Sequence, residues 1–274
     1  MTVHDALLQG TQLLHDEGVA APRLTAEVLL AHALRKDRVW LYAHGGEELS
    51  EIGWIHFGRY LHERMGGKPT QYITGRQEFY GREFRVTPAV LIPRPETEHL
   101  VEAALAVLRP GVTVVDVGCG SGAIAVTLAL ESQARVIATD VSVEALVVAR
   151  ENARKLGARV EFVAGDLVSM VGRVGVIVSN PPYVPAVDRT VLQREVRDYE
   201  PHVALFGGET GLEIYRRLID DAGRVLEGGG WLVVELGFGL AEAVRGMLGD
   251  GWSEVRVTPD LAGIPRVLVG RWRG

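Results

Sequence analysis

The sequence predicts an α/β protein: a mainly parallel sheet of seven strands covered by helices, with a small N-terminal helical domain joined to it by a β-hairpin linker. Three observations carry this expectation. From about residue 112, short apolar runs alternate with helical segments, as in a parallel sheet covered on both faces. Over the first 70 or so residues, apolar side chains instead recur at helical spacing. Between the two lies Gly66-Gly67-Lys68-Pro69, a breaker cluster, and then a segment with hairpin character. The expected division is residues 1–74 for the helical domain, 75–92 for the linker and 93–274 for the sheet domain.

In the helical domain, Ala26, Leu29, Leu30, Ala33 and Leu34 fall at i, i+3, i+4, i+7 and i+8, one apolar stripe of a helix. Trp54, Phe57, Leu61 and Met65 form another, and Val3, Ala6, Leu7, Leu13 and Leu14 fit a first helix. Six of the eight histidines lie here, and no pair has the spacing of a helical metal site, so no metal is expected. In the linker, Phe79-Tyr80-Gly81 and Phe84-Arg85-Val86 flank a turn. Pro93 and Pro95 stop further pairing. Glu96 and Glu98 then occupy the first turn of a helix running toward Leu108, where acidic residues complement the helix dipole.

Strands are expected at 112–117, 135–139, 159–163, 174–179, 231–236, 252–258 and 265–272, with helices at 122–131, 142–156, 210–226 and 240–248 between them. In sheets of this kind, ligands bind outside the carboxyl ends of the strands.

Composition limits the classes of function. The chain of 274 residues is 47% hydrophobic and 23% charged, enough apolar surface for a core. A net charge of −6 argues against a partner held mainly by its phosphates. Within residues 1–75, 7 Lys and Arg face 9 Asp and Glu, so no direct nucleic-acid partner is expected. The single cysteine, Cys119, excludes an intrachain disulfide and suits a reducing compartment. The start MTVHDALLQG lacks a basic, then apolar, leader, and no stretch approaches a membrane span. A cytoplasmic protein without membrane contact is expected, and a monomer.

Two segments carry the chemistry. The first strand of the sheet domain ends in Asp116-Val117-Gly118-Cys119-Gly120-Ser121-Gly122, and a helix follows directly. Glycines there let the backbone turn sharply and approach a ligand. The next strand ends at Asp140, 18 residues after Gly122, where a carboxylate can accept from both hydroxyls of a ribose. A dinucleotide needs G-x-G-x-x-G, but here Gly118, Gly120 and Gly122 alternate behind Asp116. An acidic residue suits a cationic amino-acid group better than a pyrophosphate, which favours S-adenosylmethionine. After the third strand come Asp166, positioned to accept from an adenine amino group, and Leu167, whose backbone N–H can meet a ring nitrogen. Cys119 is expected to fill the loop as a small residue rather than to act as a redox thiol.

The fourth strand runs into Ser179-Asn180-Pro181-Pro182-Tyr183. The prolines stiffen the backbone and remove two donors while leaving carbonyls free to accept. Asn180 adds a side-chain carbonyl and Tyr183 a flat face. Together they suit a planar –NH2, either an amide or an exocyclic amine. Two acceptors would hold its hydrogens and aim its nitrogen.

Asp-x-Gly-x-Gly-x-Gly, Asp140 and Asn-Pro-Pro-Tyr together resemble class I, Rossmann-like methyltransferases acting on planar nitrogen. The segment Leu91-Ile92-Pro93-Arg94-Pro95-Glu96-Thr97-Glu98, with Gln71-Tyr72-Ile73-Thr74-Gly75 and Val196-Arg197-Asp198-Tyr199-Glu200-Pro201, resembles the peptide chain release factor N5-glutamine methyltransferases. The resemblance runs through the whole chain in order. It implies methyl transfer from S-adenosylmethionine to the glutamine amide of the Gly-Gly-Gln motif of release factors, leaving S-adenosylhomocysteine. It implies cofactor contacts at Gly118 to Gly122, Asp140, Asp166, Leu167 and Asn180, and substrate contacts at Asn180, Pro181, Pro182 and Tyr183. Asn180, Pro181 and Tyr183 would carry catalysis, and the helical domain would recognise the protein substrate. Some relatives have Trp where Leu167 stands, which costs stacking area. Three rival readings share parts of the pattern: a glutamine methyltransferase acting on a ribosomal protein, an adenine-N6 nucleic-acid methyltransferase, and a non-catalytic adapter.

Overall fold

The computed structural model describes all residues, 1–274. In chain order its elements begin with α1 (Val3–Asp16), α2 (Pro22–Leu34), α3 (Arg38–Ala43), α4 (Glu51–Met65), α5 (Thr70–Thr74) and the strands β1 (Arg76–Phe79) and β2 (Arg82–Arg85). Next come α6 (Glu98–Leu105), β3 (Thr113–Val117), α7 (Ala123–Glu131), β4 (Arg135–Asp140), α8 (Val143–Leu156), β5 (Val160–Ala164) and β6 (Val174–Ser179). The remainder is α9 (Arg194–Tyr199), α10 (His202–Leu205), α11 (Glu213–Val225), β7 (Leu226–Glu235), α12 (Ala241–Arg245), β8 (Trp252–Pro259) and β9 (Pro265–Trp272).

The chain forms two compact units: Met1–Arg76 with Gln193–Tyr199, and Gln77–Leu192 with Glu200–Gly274. The helical unit therefore takes in α9, a segment from far along the chain. Its core is one cluster built on Leu7, Leu14, Leu29, Leu30, Phe57 and Leu61. Thr2 caps α1 in a reciprocal capping box with Asp5, and Asp37 and Ser50 cap α3 and α4. One expected stripe shifts. Leu13 is exposed, and Gly10 holds the buried place on α1. A Cβ on Gly10 would lie 2.5 Å from the Phe57 ring, so only a glycine admits that ring.

In the sheet unit, β1 and β2 pair as a two-stranded ribbon. Its turn is Tyr80-Gly81 itself rather than the residues between Gly81 and Phe84, because both adopt positive φ (51° and 69°), which a tight hairpin turn demands. The main sheet has the order β5-β4-β3-β6-β7-β9-β8. Pairs among β5, β4, β3, β6 and β7 are parallel, and β9 pairs antiparallel with both β7 and β8. Alternate residues of β3 face opposite sides. Val114 enters one core with Ile124, Leu128 and Leu146, and Val115 and Val117 enter the other with Tyr215, Leu218 and Leu232.

The order places the site. From β3 the chain moves outward to β4 and β5, then returns to lay β6 on the other side of β3. This reversal opens a crevice at the carboxyl ends of β3 and β6. Val117 and Ser179, the last residues of the two strands, stand opposite each other in register. No helix is long and apolar enough to cross a membrane.

Candidate active site

The glycine loop after β3 and the Asn-Pro-Pro-Tyr turn after β6 leave neighbouring strands at the same level. The Ser179 hydroxyl donates to the Val117 carbonyl (2.8 Å) and ties the two exits together. Gly118, Gly120 and Gly122 have φ of 73°, 52° and 79°, a region that penalises any Cβ. A Cβ on Gly118 or Gly120 would point into open space, whereas one on Gly122 would press on Ala149 of α8 at 3.0 Å. The first two glycines border a void and the third packs a helix. The loop is held from behind: Gly118 and Cys119 N–H donate to the Thr139 carbonyl (2.9 Å each), and Gly120 N–H donates to Asp140 Oδ2 (2.9 Å).

The void is a cavity of about 230 Å³ whose walls include Gly118, Gly120, Asp140, Asp166, Leu167, Asn180, Pro181 and Pro182. A smaller one of about 50 Å³ shares Leu91, Gly118, Gly120 and Asn180 with it and adds Cys119, Ser121 and Thr97. Ten of the predicted site residues are thereby brought together, and Gly122 and Tyr183 line neither cavity. The Tyr183 ring instead packs against Gly237, where a Cβ would lie 2.7 Å from it. Burial pushes its phenol up to about 12, with the Glu235 charge adding to the rise.

Each predicted residue has a definite setting. Asp140 Oδ1 accepts from Ser142 N–H (2.8 Å) as Oδ2 accepts from Gly120, so both oxygens are fixed at the cavity wall. Asp166 is paired with Arg217 of α11, which also lines the cavity. Leu167 adopts φ of 52° and is held there by the Thr139 hydroxyl, which donates to its carbonyl (2.8 Å). Cys119 is buried, and desolvation raises its thiol well above the ordinary range. A protonated thiol is a filler, as its place in the loop suggested.

Asp116 departs from expectation. It does not face the cavity but lies fully buried, with Oδ2 accepting from Ala125 N–H (3.0 Å) in the first turn of α7. Its role here is to tie β3 to that helix. Burial pushes its carboxyl up to about 7. Between the ordinary value of 3.8 and about 7, the folded chain keeps a proton that the unfolded chain has released. Stability therefore falls as pH rises through that window and levels off above it. Asp116→Asn keeps an acceptor for Ala125 and removes the acid. Denaturant titration should show a shallower pH slope, with the variant more stable by about 1–3 kcal/mol near pH 8. Identical slopes in the two proteins would refute the assignment.

The family described as PrmC N-terminal domain matches residues 5–75, and the methyltransferase small domain matches residues 97–198. A release factor glutamine methyltransferase of Koribacter versatilis is 47% identical over 277 residues, covering 99% of each chain. The chain belongs to the release factor glutamine methyltransferase family. A second member, from Neisseria gonorrhoeae, is 46% identical over 92% of this chain and 94% of its own. Among solved structures, a methyltransferase from Pyrococcus furiosus aligns with a TM-score of 0.56 at 22% identity, over 72% of this chain and 91% of that one, a likeness of fold.

Two of the family segments acquire physical roles in this methyltransferase. Glu200 is buried, pairs with Arg94 and accepts from Ile92 N–H (3.2 Å), so the Ile-Pro-Arg-Pro segment and the downstream motif hold one another. Glu98 accepts from Tyr80 N–H (2.8 Å) and ties α6 to the ribbon turn. Within the helical unit, Tyr199 donates to the Gly66 carbonyl (3.1 Å) and Glu195 pairs with Arg64 (2.6 Å). Sequence reasoning missed Arg217, Asn152 and Thr97 as site residues. Asn152, fully buried, donates to the carbonyls of Ser121 (2.9 Å) and Arg85 (3.0 Å) and braces the glycine loop. Thr97 accepts from Asn180 Nδ2 (3.2 Å). A polar residue inside the Pro-Arg-Pro-Glu-Thr-Glu run was the only signal available for it.

Proposed function

We propose that this methyltransferase binds S-adenosylmethionine in the cavity of about 230 Å³ at the exits of β3 and β6 and methylates the side-chain amide nitrogen of the glutamine in the Gly-Gly-Gln motif of peptide chain release factors. The observation that carries the reading is that the glycine loop and the Asn-Pro-Pro-Tyr turn share one cavity at the exits of paired strands. The residues fit the cofactor. Glycines leave open space where a side chain would fill the cradle, and a fixed carboxylate, Asp140, stands on its wall for the ribose hydroxyls. Leu167 and Asp166 border the adenine end. When bound, S-adenosylmethionine supplies a methyl group made electrophilic by a sulfonium.

The chain's own task is to orient a poor nucleophile. An amide nitrogen shares its lone pair with the carbonyl. In this reading Asn180 Oδ1 and the Pro181 carbonyl accept its two hydrogens, which raises electron density on nitrogen and fixes its direction. Orientation of this kind can contribute roughly 7–11 kcal/mol. The helical unit, with a cavity of about 690 Å³ lined by His32, Arg35, Lys36, His56, Tyr60 and Arg76, is assigned to the protein substrate. Labelled S-adenosylmethionine tests the proposal. Label should enter an intact release factor and fail to enter one whose Gly-Gly-Gln glutamine is replaced by alanine. Equal labelling of the two factors overturns it.

A further inference from the structure

The sequence of the Asn-Pro-Pro-Tyr turn restrains only its first half. Asn180 and Pro181 each precede a proline, which confines both to extended backbone, and the rings fix φ at Pro181 and Pro182. The torsions beyond the Pro182 ring carry no such restraint, and neither proline has an N–H with which to tie the turn down. A turn that aims a substrate nitrogen needs its second half held from outside.

The segment that runs on from α10 supplies that hold. Val184 N–H donates to the Leu205 carbonyl (2.9 Å), Gly207 N–H to the Val184 carbonyl (3.0 Å) and Ala186 N–H to the Gly208 carbonyl (2.9 Å), with Val184 and Phe206 paired as a parallel bridge. Two buried glycines, Gly207 and Gly211, let this segment close on the turn itself. A Cβ on Gly207 would lie 2.4 Å from the Pro182 carbonyl oxygen and 3.0 Å from Tyr183 Cα, and one on Gly211 would lie 2.2 Å from the Tyr183 carbonyl oxygen. These neighbours are backbone atoms, which cannot swing aside as the end of a side chain can. The same segment reaches the cofactor side, where Val203 and Ala204 of α10 line the cavity of about 230 Å³. One short stretch of chain thus touches both the wall of the donor cavity and the backbone of the acceptor turn.

We propose that Gly207 and Gly211 are positioning residues for methyl transfer: their missing side chains let the segment after α10 clamp the Pro182–Tyr183 backbone, which holds Asn180 and the Pro181 carbonyl in place against the cofactor cavity. This rests on the reading of Asn180 and Pro181 as the site of the substrate amide. Gly207→Ala is the cleaner test, because Gly211 also has φ of 78°, strained for any side chain. Ordinary contact begins near 3.4 Å, so the alanine must drive the Pro182 carbonyl back by about 1 Å. A misplacement of that size can lower the rate about 10²-fold, and this is the loss expected in single-turnover methylation of intact release factor. KM for release factor and calorimetric affinity for S-adenosylhomocysteine should stay within about 5-fold of wild type, since Asp140 and the glycine loop are untouched. Leu205→Ala loosens the clamp without crowding it, by removing a buried side chain of the same segment, and should lower kcat about 10-fold with cofactor affinity kept. Gly230→Ala is the control. Its Cβ would meet the carbonyl oxygens of Gly175 (2.8 Å) and Glu227 (2.9 Å), backbone crowding of the same kind at the end of β6 remote from the turn. Its rate per folded molecule should stay within about 2-fold of wild type. A wild-type rate in Gly207→Ala overturns the proposal, as does a wild-type rate in Leu205→Ala if the first variant does not fold. So does a loss of S-adenosylhomocysteine affinity as large as the loss of rate, or an equal loss of rate in Gly230→Ala, either of which would mean that packing alone is at stake. The wild type in the same assay separates the two levels: if it leaves the Gly-Gly-Gln glutamine unmethylated, the functional reading fails, and if Gly207→Ala methylates it equally fast, only the clamp fails.

Discussion

Asn180→Ala should lower the kcat of release factor methylation on the order of 10²-fold or more. The substitution removes the acceptor for one substrate amide hydrogen and leaves that hydrogen unpaired in a desolvated pocket, which by itself costs about 1–3 kcal/mol. It also strips Thr97 of the donor at 3.2 Å, so the wall behind the amide loses its order. Lost aim adds to lost contact. Asn180→Asp keeps an acceptor but cannot donate to Thr97 when ionised, and it places a charge beside two rigid prolines, so partial activity is expected. Cofactor affinity should change less than turnover in both. Single-turnover methylation with calorimetric binding alongside checks this. Near-wild-type turnover in Asn180→Ala would leave the Pro181 carbonyl as the sole orienting group.

Asp140→Ala should weaken S-adenosylmethionine binding by about 1.5–3 kcal/mol, roughly 10- to 150-fold. The carboxylate stands on the cavity wall with each oxygen already accepting one backbone N–H, from Gly120 and from Ser142. Its remaining lone pairs are the acceptors offered to a ribose. Alanine removes these and also frees Gly120, so the glycine loop loses one of its ties. Calorimetry on the folded variant reads the effect. Unchanged affinity removes Asp140 from the cofactor site.

The sheet was legible because a run such as Val112–Val117, followed by glycines and a helix, admits few other structures, and the elements of β3 to β9 lie close to their expected places. The glycine loop and the Asn-Pro-Pro-Tyr turn were legible because each is contiguous: the strand, the turn and the chemistry sit within a few residues. What stayed hidden depends on contacts between distant parts of the chain. Thr97 reaches Asn180 across 83 positions, and Arg94 reaches Glu200 across 106. No periodicity reports such pairs. Asp116 misled for the opposite reason. Its place in the loop motif suggested a ligand contact, but the last residues of a buried strand alternate between faces, and its carboxylate turned to the α7 backbone. Gly10 shows the same limit in the helical unit: a glycine reads as a weak helix residue until the Phe57 ring against it is known.

On the proposed function, the cavity at the exits of β3 and β6 serves a glutamine side-chain amide. The most direct test is mass spectrometry of a release factor incubated with this chain and S-adenosylmethionine, digested and sequenced by fragmentation. One added methyl group is expected on the side chain of the Gly-Gly-Gln glutamine, absent when Asn180→Ala replaces the wild type at equal time. A methyl group found on another residue, or no modified peptide while the chain binds S-adenosylmethionine, would contradict it.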